Sequence, residues 1–200
     1  MSIATESRII TPEEFYRMGD AARGYELVNG EMRVMDMSAQ SCWVGGQLHL
    51  HLGNYARTVT PGWAFPPETG YRCFAEDRSL VRKPDASWIA LSRMTRDQYE
   101  EEGFIEVVPD LVAEVISPND SAPDVEEKIA LWLTSGVHLV WEVYPGSQTV
   151  RVHRNKQPIA VLVAGDTLTA PDILPGFAVP VAELFRVPGE PVAAPASPVT

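Results

Sequence analysis

A glutamate stands inside the most apolar stretch of the chain, Leu111-Val112-Ala113-Glu114-Val115-Ile116. An ionised carboxylate in an apolar strand is costly unless a cation or a metal ion meets it. A second carboxylate, Asp85, opens another strand-like stretch directly after Lys83-Pro84. Hard divalent cations such as Mg2+ take oxygen ligands in near-octahedral order; two carboxylates, a backbone carbonyl and waters meet that demand. Asp85 and Glu114 could share one ion if strands 85–91 and 111–116 are neighbours. Lys128 is the only Lys or Arg between Arg96 and Arg151, and it lies on the helix that follows the Glu114 strand. An ammonium beside a metal-bound water can orient the nucleophile and stabilise charge on a phosphate in the transition state. Each residue also has a plainer reading. Glu114 could pair with an arginine in a core network, Asp85 could be a turn residue after proline, and Lys128 alone reads as a solvent-facing helix lysine.

Other reactive side chains offer less. His49 and His51 lie two apart, so on a helix they face different ways and make a poor metal pair. Ser117 before Pro118 reads as a turn cap, since no G-x-S-x-G surrounds it. Trp132 and Trp141 read as core. Cys42 and Cys73 are too few for a disulfide framework and too far apart for a metal knuckle.

The elements that must position the carboxylates follow from local signals. Thr11-Pro12-Glu13-Glu14 opens a short helix to about Met18, with a cap, a proline at the first helical position and a Glu at the third. Tyr25 to Val34 alternates around Asn29-Gly30, the signature of a two-residue hairpin. Val44, Leu48, Leu52 and Tyr55 recur at helical spacing, which predicts a helix over 39–57. Strands are predicted at 69–74, 79–82, 85–91 and 111–116, with a polar loop over 92–107. A turn at 118–123 leads into a helix over 124–134, closed by Gly136. Strands at 137–144 and 149–154 pair across Pro145-Gly146, with another at 159–163. Leu174-Pro175-Gly176-Phe177 begins a return segment that ends in a short helix near 181–185. This order implies one mixed sheet flanked by helices, an α/β or α+β domain. Residues 1–8 read as an N-terminal extension, 9–186 as a single domain and 187–200 as a disordered Pro/Ala-rich tail.

Composition bounds the function. Of 200 residues, 45% are apolar and 22% charged, which excludes a disordered or fibrous chain. No apolar run reaches the ~18 residues of a membrane span, and no leader is visible, so the cytoplasm is the expected compartment. Residues 97–127 carry 11 acids and no base, which equals the whole net charge of −11. Residues 72–96 are locally basic, with Arg72, Arg78, Arg82, Lys83, Arg93 and Arg96. A phosphate-bearing substrate therefore stays open despite the acidic total.

Several motifs in order resemble one family. Pro84-Asp85, Glu114-Val115-Ile116-Ser117-Pro118, Asp124-x-x-x-Lys128, Gly136-Val137 and Trp141 are similar to the Uma-type putative restriction endonucleases, of the PD-(D/E)XK superfamily. The likeness spans about residues 9–186, from Tyr25-Glu26-Leu27-Val28-Asn29-Gly30-Glu31 to Leu184-Phe185. It implies a restriction-endonuclease-like sheet with Asp85 and Glu114 as metal ligands and Lys128 as the catalytic lysine. It also makes Glu26 or Glu31 a candidate additional site residue. Two positions depart from the pattern. The lysine two residues after the strand carboxylate is replaced by Ile116, and the histidine often found at the start of the long helix is replaced by Ser41.

The reading that results is a Mg2+- or Mn2+-dependent endonuclease that hydrolyses DNA phosphodiesters with a metal-activated water. Asp85, Glu114 and the Val115 carbonyl would hold the ion, Lys128 would assist, and bases in 72–96 would contact phosphates. Its rival is a nuclease-fold binding module without catalysis, acting as a homodimer. Ile116, at the usual lysine position, is expected to be turned away from the metal by a bulge or by the end of its strand.

Overall fold

The computed structural model describes residues 9–35 and 37–190. The expected extension, 1–8, and residues 191–200 of the expected tail lie outside the described residues. Val187 to Glu190 close a turn, with the Glu190 N–H donating to the Val187 carbonyl at 3.2 Å.

Helix α1 (Pro12–Arg17) starts in a reciprocal cap between Thr11 and Glu14. Strands β1 (Tyr25–Val28) and β2 (Glu31–Val34) form the expected hairpin. Its turn has positive φ at both Asn29 (53°) and Gly30 (73°), the geometry that Asn-Gly favours. Gly30 is required for a second reason: a Cβ there would lie 2.3 Å from the Ile9 side chain. Helix α2 (Ala39–Thr58) buries Val44, Leu48, Leu52 and Tyr55 along one stripe. Next come β3 (Gly62–Phe65), β4 (Ala86–Ala90), α3 (Arg96–Glu100) and β5 (Leu111–Val115). Helix α4 (Ala122–Thr134) leads to β6 (Leu139–Tyr144), β7 (Thr149–His153) and β8 (Ala160–Leu162). A second ribbon, β9 (Thr167–Ala170) with β10 (Leu174–Pro180), precedes α5 (Val181–Phe185).

Six strands make one mixed sheet in the order β3-β4-β5-β6-β7-β8. Within it only β5 and β6 run parallel, and α4 supplies the crossover that parallel strands need. Leu111, Ala113 and Val115 join Trp141 and Val143 in a core with Leu48 and Leu52 of α2. Val112 instead packs with Ile129 and Trp132 of α4. Side chains alternate along a strand, so Glu114 shares the Val112 face and points towards α4. Among the described residues no helix is long and apolar enough to cross a membrane.

Three local expectations are corrected. The stretches 69–74 and 79–82 form no strands; they meet in one bridge, Tyr71 with Arg82, while Val81 bridges Leu27 of β1 and Tyr71 bridges Ile105. Their apolar residues are buried by packing rather than by a ladder. The edge strand β3 stands before them instead. The 92–107 loop contains α3, capped by Thr95 and Gln98, and α4 begins at Ala122 because Pro123 fits the first helical turn.

Candidate active site

The antiparallel register that pairs Ala86 with Ala113 brings Asp85 opposite Glu114. The Asp85 N–H donates to the Ala113 carbonyl at 3.0 Å. Its own side chain then accepts the Val115 N–H at 2.7 Å, extending the ladder by one bond. The Ile116 N–H turns the other way, to Val143 of β6, so alternation aims the Val115 carbonyl towards the Asp85 side. Gly45 of α2 leaves room for this approach: a Cβ there would sit 3.4 Å from the Asp85 Cβ.

Lys128 is no solvent-facing lysine. It lies one turn before Trp132 on the helix face that meets the sheet, with its side chain 21% exposed. Its ammonium bridges Glu114 at 2.9 Å and Glu26 at 3.0 Å. The Trp132 indole N–H donates to the other Glu114 oxygen at 2.6 Å. Glu26 in turn accepts from Arg82 at 3.0 Å and from the Lys83 backbone N–H at 2.8 Å. Two backbone bonds between Leu27 and Val81 dock the hairpin where Glu26 can do this. Glu31, at the far side of the same turn, is exposed and stays outside the cluster. These groups line a cleft of about 260 Å³, together with Arg33, Met35, Ile116, Asn119, Asp120 and Asp124.

Ile116 does not turn away. No bulge interrupts β5, whose register with β6 is continuous to its end at Val115, and Ile116 is half-buried in the cleft wall. Lys128 instead reaches the Glu114 carboxylate from α4. Ser41, in place of a histidine, is buried and accepts a bond from the Ser117 hydroxyl at 3.2 Å. The turn after Ser117 is capped by Asp120, whose carboxylate accepts the Ser117 backbone N–H at 2.7 Å.

Charge in the cleft is unbalanced. Arg82 answers Glu26, and Lys128 is the one cation shared by Glu26 and Glu114, while Lys83 is engaged by Glu68 at 2.7 Å. Burial therefore pushes Glu114 up to about 7 and Asp85 up to about 6, and Lys128 offsets only part of that cost. Burial would raise Glu26 as well, but Lys128 and Arg82 outweigh it and hold its carboxyl below the usual range. Burial opposes the Lys128 charge, yet Glu114 and Glu26 together raise its pKa above the ordinary lysine value. A divalent cation would supply the missing positive charge. Asp85, Glu114 and the Val115 carbonyl form an all-oxygen set suited to a hard ion. Among the described residues no group of three or more His, Cys, Asp or Glu gathers as a metal site, so an ion held by these groups would need waters to fill its shell.

The bases of the 72–96 stretch are each engaged by a carboxylate. Arg72 and Arg78 share Glu106, and Arg93 and Arg96 pair with Asp110 and Glu100. With Arg82 and Lys83 engaged in the core, each of the six bases between 72 and 96 holds a carboxylate. Arg33, on β2 at the cleft wall, is exposed and has no carboxylate partner among the described residues. Sequence reasoning passed over Arg33, grouped Arg82 with the phosphate-contacting bases and read Trp132 as core alone. Trp132 looks like any core tryptophan until the register of α4 on β5 is known.

The Uma2 family, described as "Putative restriction endonuclease", matches residues 12–182. A crystal structure of a putative nuclease belonging to DUF820 from Anabaena variabilis superposes with a TM-score of 0.69 at 24% identity. The match covers 88% of this chain and 97% of that one, and it shows a shared fold. No curated protein matches.

Proposed function

The chain belongs to the Uma2 family, and on that premise we propose that it is a divalent-metal-dependent endonuclease that hydrolyses phosphodiester bonds in DNA. The observation that carries this reading is the pairing of half-buried Asp85 with buried Glu114, short of one positive charge, beside an ammonium held in place by Glu26.

Asp85, Glu114 and the Val115 carbonyl would hold Mg2+ or Mn2+. When bound, such an ion lowers the pKa of a coordinated water and polarises the phosphoryl oxygens. Lys128 keeps its proton because two carboxylates face it, and its ammonium is available to charge that builds on the phosphate. Glu26 sets the position of Lys128 and is itself fixed by Arg82 and the Lys83 N–H. Ile116 and Val125 exclude bulk water from one wall, which strengthens every charge interaction within. Arg33 stands where a flanking phosphate of the same strand can pass.

Supercoiled plasmid incubated with the full chain and Mg2+ or Mn2+ tests the proposal. Nicking that is lost with EDTA and in Lys128→Met supports it. A wild-type protein that cuts no DNA with either ion leaves a nuclease-fold binding module in its place.

A further inference from the structure

The cleft that holds Asp85, Glu114 and Lys128 has unlike walls. One wall is the end of the β1–β2 hairpin, with Arg33, Val34, Met35 and Met37. Val34 is 72% and Met37 48% exposed, so this wall offers apolar side chains as well as a guanidinium. The other wall is the turn after β5 and the first turn of α4, with Asp120 and Asp124. Residues 118–127 hold four acids, Asp120, Asp124, Glu126 and Glu127, and no Lys or Arg. All four are exposed. Of the cations that line the cleft, Arg82 is held by Glu26, Lys83 by Glu68, and Lys128 by Glu114 and Glu26. Arg33 is left over among the described residues.

We infer that the cleft takes one strand of DNA rather than a duplex: a single strand, a flap or a locally opened stretch. This substrate class rests on the nuclease reading of the same cleft. A duplex carries one phosphate charge per ~1.7 Å of its axis, divided between two strands. When one strand lies over Glu114, its complement must pass above a wall, and four exposed carboxylates repel it from the α4 side. A single strand has no such second row of phosphates. It sets one phosphate against Arg33 and the next in reach of Lys128. The apolar side chains point the same way. Bases of a duplex are stacked inside it, whereas an unstacked base can rest against Val34 and Met37. The cleft volume, about 260 Å³, lies just below the ~300–1,000 Å³ of pockets that enclose a small molecule, which is room for about one nucleotide. Negative supercoiling favours strand opening, so a supercoiled plasmid offers such stretches and a relaxed one does not.

Fluorescence anisotropy of one labelled oligonucleotide, alone or annealed to its complement, with the full chain in Ca2+ tests it. The single strand is expected to bind about tenfold more tightly than the blunt duplex, or better. Asp124→Asn combined with Glu126→Gln and Glu127→Gln strips charge from the acidic wall and is expected to narrow that preference about threefold, chiefly by tighter duplex binding. With Mn2+ in place of Ca2+, the single strand and a flapped duplex are expected to be cut and the blunt duplex spared. A duplex bound or cut as well as the single strand overturns the inference. A preference that the triple variant leaves unchanged overturns the role of the acidic wall. A single strand that is bound and never cut overturns the nuclease reading alone, and a protein that binds neither form overturns both.

Discussion

Replacing Glu114 with glutamine should make the metal-free protein more stable at mildly alkaline pH, not less. Burial lifts the Glu114 carboxyl from 4.5 to about 7. Each tenfold change in proton affinity is worth ~1.4 kcal/mol, so keeping this group ionised above both values costs the fold about 3 kcal/mol. The sign follows from linkage. The folded state binds this proton more tightly than the unfolded chain does. Its advantage is therefore complete below about pH 4.5 and is lost as pH rises through about 7. Glutamine keeps the shape of the neutral acid and can still accept the Trp132 N–H, while Lys128 retains Glu26 at 3.0 Å. The variant should gain up to about 3 kcal/mol near pH 8, roughly 6–12 °C for a domain of this size, with the difference closing near pH 5. A purely structural ion pair behaves in the opposite way, because removing one partner of a buried pair costs ~3–5 kcal/mol. Urea unfolding in EDTA at several pH values, followed by tryptophan fluorescence and circular dichroism, measures the difference. A variant less stable than wild type by the same amount at every pH would refute the reasoning.

Lys128→Met should abolish cleavage and also cost about 2 kcal/mol near pH 8, since it strips Glu114 of its ion-pair partner and leaves Glu26 with Arg82 alone; unfolding equal to wild type would put Lys128 back on the surface. Gly45→Leu should press on Asp85 and weaken metal binding at least tenfold while leaving helical circular dichroism unchanged. Gly45→Ala, whose Cβ would rest 3.4 Å from the Asp85 Cβ, should bind metal nearly as well as wild type; equal affinity in both variants breaks the link between α2 and the site. Arg33→Ala should lower DNA affinity evenly across sequences and reduce the salt slope by about 1. An unchanged slope would mean that the hairpin wall does not touch phosphate.

Elements that carry their own local signal were legible from sequence. Asn29-Gly30 specifies its turn through backbone conformation alone, and the stripe of α2 and the apolar run of β5 announce their buried faces. Glu114 was visible for the same reason, as a charge where none should be. Asp85 and Lys128 could be tied to it only by motif, because their meeting depends on the β4–β5 register and on the crossover through α4. What stayed hidden is set by long-range contacts. Glu26 enters the site because one bridge, Leu27 with Val81, docks the hairpin beside Arg82, and no local pattern separates it from Glu31. The acidic stretch 97–127 also has partners that its sequence did not show. Glu106 pairs with Arg72 and Arg78, and Asp110 with Arg93.

Calorimetric titration of Mn2+ or Mg2+ into the metal-free protein tests the central claim most directly, with Asp85→Asn and Glu114→Gln alongside. One saturable site in wild type is expected, with affinity that rises with pH, and with proton release on binding that falls, across the range in which Asp85 and Glu114 ionise. Neither folded variant should show saturable heat. A wild type without metal-dependent heat, or variants that bind as wild type does, would contradict the assignment of these two carboxylates.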